Sequence, residues 1–165
     1  MDATRLVVVT AAALGAARTE TEVVREAWQA GALARAVGGV LAATGPPAQR
    51  AGARGLQETG DTGAPPCLRP RADRLTSVAD PPRALDALDA LLGEAVHALI
   101  PLAATAAESG TYADCMETIE ALGNCRDAVG ILRGLWAEAT EEAARENRST
   151  AGAVIRDAAR DDENQ

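Results

Sequence analysis

Leu85, Leu88, Leu92, Ala95, Leu99 and Leu102 recur at intervals of three and four residues, which aligns them along one face of an α-helix. A strand alternates its faces every second residue, so this period fits only a helix that buries one stripe against other apolar surface. Asp80 followed by Pro81 and Pro82 marks its start, a capping carboxylate ahead of prolines in the first turn, where an amide donor is not needed. Pro101 is expected to kink or end the helix in its final turn.

The same reading extends over most of the chain. A first helix is predicted over residues 3–18: Leu6-Val7-Val8-Val9 alone would suit a buried strand, but the alanine-rich continuation to Ala17 favours helix. Thr19 or Thr21 caps a second helix reaching about residue 43. Its stripe is Val23, Ala27, Ala30, Ala34, Val37 and Leu41, with Glu22, Arg25, Glu26, Gln29 and Arg35 away from the stripe's centre. Gly45-Pro46-Pro47 stops it, and Pro47 opens a short helix to about residue 58. Residues 60–79, with Pro65, Pro66 and Pro70, read as an irregular, basic surface loop. The last long helix begins near Thr111 and carries Cys115, Thr118, Leu122, Cys125, Val129, Leu132, Trp136 and Ala139 on one face. Residues 149–165 read as a frayed or disordered acidic tail. Amphipathic helices bury their stripes against one another, so the expected fold is all-α: an antiparallel bundle of four main helices plus one short helix, forming one domain over residues 1–148.

Composition narrows what such a bundle does. Alanine fills 39 of 165 positions, all 16 basic residues are arginine, and phenylalanine is absent, so close-packed aliphatic seams replace aromatic packing. Only Trp28, Trp136 and Tyr112 offer rings, few platforms for bases or flat cofactors. The net charge of −8 falls mainly on the second half, which disfavours nucleic acid and anionic membranes as partners. The apolar run 6–17 is too short to span a bilayer and lacks the basic n-region of a secretion signal, so a cytoplasmic location is expected. Three cysteines without a CxxC spacing fit reduced thiols.

Each candidate chemistry has a plainer reading beside it. Glu94 and His97 have the ExxH spacing of bundle metal sites, but they fall roughly opposite the leucine stripe, and His97 is the sole histidine. No metal and no cofactor is expected. Ten helical residues put Cys115 and Cys125 roughly 15 Å apart, too far to pair. Cys67, near Arg69 and Arg71, reads as an exposed thiol or, less simply, a reactive one. The run from Val7 to Gly15 echoes the first strand and turn of a dinucleotide-binding fold without the glycines that a pyrophosphate requires. No nucleophile has a recognisable catalytic setting, so the chain is read as a non-enzyme. Arg69, Arg71, Arg74 and Arg83 form the one basic cluster, suited to an anion or an acidic partner, or else to a solvated loop paired with the chain's own acidic helices.

The segments Met1-Asp2-Ala3-Thr4-Arg5-Leu6, Glu26-Ala27-Trp28-Gln29-Ala30, Gly45-Pro46-Pro47 through Ala53-Arg54-Gly55-Leu56, and Asp80-Pro81-Pro82 through Leu91-Leu92-Gly93-Glu94 together resemble an uncharacterised actinobacterial family, a domain of unknown function. That resemblance covers most of residues 1–105, carries no catalytic motif across, and implies a bacterial cytoplasmic protein. Two functional expectations follow from the residues. The first is a helical interaction or scaffold protein that self-associates as a homodimer through small residues such as Gly31, Gly38 and Gly39. The alternative is a ligand-binding regulatory module, with an apolar pocket between the second and fourth helices and the arginine loop as a lid for an anion.

Overall fold

The computed structural model describes residues 1–59, 68–106 and 109–162, with side chains through Arg148 apart from Ser109 and Asn147. The described residues form five α-helices: α1 (Ala3–Ala16), α2 (Glu20–Thr44), α3 (Pro47–Glu58), α4 (Pro81–Thr105) and α5 (Ser109–Asp162). A single 3₁₀ turn, Arg71–Arg74, precedes α4. No strand occurs among these residues, only an isolated bridge between Asp2 and Ser77. The fold is all-α, as the apolar spacing requires. The chain divides into two compact units, Met1–Arg133 and Gly134–Gln165.

The helix starts follow from local chemistry. Asp2 caps α1 by accepting from the Thr4 amide, and Asp80 caps α4 by accepting from the Arg83 amide. Of the two threonines expected before α2, Thr19 is the cap: its hydroxyl accepts from the Glu22 amide while the Glu22 carboxylate accepts from the Thr19 amide. Pro47 opens α3. Pro101 lies within α4, which runs one further turn to Thr105.

Within the first unit α2 is the central helix, packed against α1, α3, α4 and the 3₁₀ turn, with Leu122 of α5 in contact at Gly31. This corrects the single-stripe expectation for α2. Every residue from Glu26 to Ala34 is buried, including Glu26 and Gln29, which the spacing alone had turned outward. The reason is tertiary: neighbours cover α2 on more sides than one apolar stripe requires. α4 behaves as its leucines dictate, with Leu85, Leu88, Leu92, Ala95 and Leu99 all buried. It is also the one helix among the described residues long and apolar enough to cross a membrane by length and composition, yet those leucines lie inside the bundle.

α5 packs antiparallel to α4. Arg133 pairs with Asp86, and Arg126 pairs with Asp89 and lies over Gly93, so rising numbers on one helix meet falling numbers on the other. Its stripe is buried at Cys115, Thr118, Leu122, Cys125, Val129 and Leu132. In the second unit the helical backbone continues to Asp162, with an exposed ion pair between Glu141 and Arg145 one turn apart. The tail expected over 149–165 falls where side chains lie outside the described residues.

Candidate functional site

The basic segment is held down by two polar side chains of α2. Gln29 and Glu26 are three residues apart and therefore share a face. The Gln29 amide receives the Arg71 backbone N–H at 2.7 Å and donates to the Arg69 carbonyl at 3.1 Å, closing both backbone valences of the loop at once. Beside it the Arg71 guanidinium forks over the Glu26 carboxylate through both terminal nitrogens, and Arg25 adds a third contact at 3.2 Å. Glu26 is 2% exposed and Arg71 30%. Burial pushes the Glu26 carboxyl up, but the hydrogen bonds and charges of Arg71 and Arg25 outweigh it and hold the group below the usual carboxylate range.

The far side of the segment is stitched to the start of α1. The Met1 nitrogen donates to the Arg74 carbonyl at 2.8 Å and to the Thr76 hydroxyl at 2.7 Å. The Thr76 amide returns a bond to the Met1 carbonyl, and the Ala3 amide reaches the Ser77 carbonyl. Asp2 serves both sides, accepting from Thr4 within α1 and from Ala79 across the seam. The Ala79 hydrogen bond does most to lower its carboxyl below the ordinary value.

Between these two seams lies a cavity of about 460 Å³. Met1, Leu6, Val9 and Pro70 give it aliphatic walls, and Arg69, Arg71, Asp73 and Arg74 give it charge. Three of the four arginines singled out in the sequence thus share one concave surface. Arg83 does not join them: it sits exposed in the first turn of α4, its backbone amide engaged by Asp80. The cavity opens between α1 and the 3₁₀ turn, not between the second and fourth helices, because α2 and α4 are in direct contact. Arg71 is no free lid residue either, since its guanidinium is committed to Glu26. Arg69 and Arg74 are exposed and form no side-chain ion pair or hydrogen bond with other described residues.

The three glycines expected at a dimer face lie against the chain itself. A Cβ on Gly38 would stand 2.6 Å from the Gln57 nitrogen and 2.9 Å from the Ala53 carbonyl oxygen of α3. Gly31 abuts Leu122 at 3.4 Å, and Gly39 faces the Gln57 side chain at 3.6 Å. Small residues permit close helix approach, and here the approaching helices are α3 and α5 of the same molecule.

Glu94 and His97 are both exposed, and His97 Nδ1 lies 2.7 Å from the Gly93 carbonyl oxygen. No group of three metal-ligating side chains occurs among the described residues. Cys115 and Cys125 are buried free thiols in the core, both raised above the ordinary thiol value chiefly by burial. Cys67 lies outside the described residues. Glu26 and Gln29 are the residues that sequence reasoning missed. Their partners lie 40 to 45 positions away, and no local pattern announces such a pairing.

No curated protein and no solved structure matches the chain. The model of a family of unknown function, DUF6099, matches residues 1–134, a span that ends within a residue of the first compact unit. The chain belongs to the DUF6099 family.

Proposed function

We propose that this chain is a non-catalytic binding module of the bacterial cytoplasm, of actinobacterial origin, that takes up a small anionic ligand between α1 and the 3₁₀ turn. The carrying observation is the gathering of Arg69, Arg71 and Arg74 around one cavity while Arg69 and Arg74 form no side-chain ion pair or hydrogen bond with other described residues. Arginine presents a planar fork of donors suited to carboxylate and phosphate, and a cavity of 460 Å³ lies within the usual range for small-ligand sites, roughly 300–1,000 Å³. The latch of Glu26 and Gln29 supplies preorganisation, since it fixes the loop backbone at Arg69 and Arg71 before any ligand arrives. A thermal-shift panel of organic and inorganic anions tests the reading. A ligand at a hundred times its Kd stabilises by about 2.7 kcal/mol, which for a chain of this size raises Tm by about 5–10 °C. That rise should disappear in the double variant Arg69→Gln/Arg74→Gln, and a Tm insensitive to every anion removes the proposal.

A second reading, self-association, rests on Ile100, Tyr112 and Met116, which are 51%, 51% and 42% exposed. They replace the glycine face as its motivation. Light scattering at rising concentration decides it: a dimer that Ile100→Ser/Met116→Ser converts to monomer supports the reading, and a strict monomer in the unaltered chain ends it.

A further inference from the structure

We infer that the ligand of this cavity is a small anionic head group of one or two charges carried on an aliphatic chain, such as a medium-chain carboxylate. This inference rests on the anion-binding reading above. Charge sets the head group. Arg71 is paired with Glu26, so the remaining charges among the described lining residues are Arg69, Arg74 and the Met1 ammonium, which bonds to the neutral oxygens of Arg74 and Thr76, against Asp73, an excess of two positive charges. Two excess positive charges match a mono- or dianionic head group and leave a triphosphate only partly compensated. The other wall sets the body. Among the described residues it consists of Leu6, Val9, Met1 and Pro70, with no aromatic ring on which a base could stack, so nucleotides lack their usual platform. Leu6 is 2% exposed and forms the floor, whereas Val9 at 46% and Met1 at 39% leave apolar surface open beside the arginines. Covering that surface is favourable only for a ligand that brings methylenes with it.

Isothermal titration of the full chain with butyrate, hexanoate, octanoate and decanoate, each below its micelle concentration, reads the claim directly. A fully buried methylene contributes about 0.8 kcal/mol, close to fourfold in affinity, and the open side of this cavity reduces that to roughly two- to fourfold per methylene. From hexanoate to decanoate the affinity should therefore rise at least tenfold. Octyl sulfate should bind comparably, whereas octyl glucoside and ATP should bind at least tenfold more weakly. Arg69→Gln/Arg74→Gln should weaken all the anions by tenfold or more. Val9→Ser, at an exposed position that leaves the core intact, should flatten the chain-length dependence while sparing butyrate. Affinity independent of chain length, or ATP binding as tightly as decanoate, overturns the aliphatic assignment but leaves an anion site standing. Chain-length dependence untouched by both variants places the ligand elsewhere and overturns it too. Sedimentation with phosphatidylglycerol vesicles, in the absence of binding to the soluble chains, assigns the same chemistry to a lipid surface and overturns a free ligand. No binding by any anion in any arm removes the parent reading as well.

Discussion

Replacing Arg71 by methionine tests the latch that gives the cavity its shape. The substitution keeps most of the stem's apolar contact and removes the charge, leaving the Glu26 carboxylate buried with Arg25 as its nearest cation, at 3.2 Å. Breaking a buried pair from one side costs about 3–5 kcal/mol when the remaining charge has no other partner. Arg71 is 30% exposed and Arg25 stays in place, so the expected loss is smaller, about 2–3 kcal/mol at pH 7. Urea denaturation followed by circular dichroism measures it, and Glu26→Met/Arg71→Met should recover most of the loss, giving a coupling of about 1.5–3 kcal/mol in the double-mutant cycle. The pH dependence carries the sign. The folded Glu26 carboxyl lies below its ordinary value, so its contribution is complete above the unfolded value and is lost as pH falls through the folded one. Without Arg71, the two largest influences that lower the group are gone while burial still raises it, so the variant loses less stability at this site as the pH falls. The stability gap between the unaltered protein and Arg71→Met therefore narrows from pH 7 to pH 3. A variant within about 0.5 kcal/mol of the parent at pH 7, or a gap that does not change with pH, would refute the latch.

Gly38→Ala should destabilise by about 2–4 kcal/mol, because its Cβ meets the α3 backbone, which moves only if α2 and α3 separate; Gly130→Ala, with open space around it, should stabilise by about 0.5–1 kcal/mol. Equal effects at the two sites would show that helix propensity, not approach distance, governs both. Asp80→Ala should cost about 1 kcal/mol through loss of the α4 cap, while Asp80→Asn, an equivalent capping residue, should be near neutral by the same denaturation assay. His97→Ala is expected to leave stability unchanged to within about 0.5 kcal/mol, and a larger loss would assign this exposed ring a structural role.

Most of the fold is legible along the chain because helices are decided locally. The stripe from Leu85 to Leu99, the cap at Asp80, the stop at Gly45-Pro46-Pro47 and the stripe from Cys115 to Leu132 each depend on residues within a turn or two. The candidate site is legible only in part. The sequence singles out the arginines of the loop, since they form its one basic cluster, but spacing cannot tell which line the cavity as exposed charges and which pairs with a buried carboxylate.

The sequence by itself determined an all-α chain, the starts of its helices and the residues that line their apolar faces, all through contacts three or four positions apart. Tertiary packing alone decided that α2 lies at the centre, which buries Glu26 and Gln29 and gives them Arg71 and the backbone at Arg69 as partners. It also decided that Gly38 serves an internal seam and that three arginines share a wall with Leu6 and Val9. The physical reason is distance along the chain. A hydrogen bond across 40 or more residues exists only once the bundle has closed, and no local pattern encodes which groups that closure brings together.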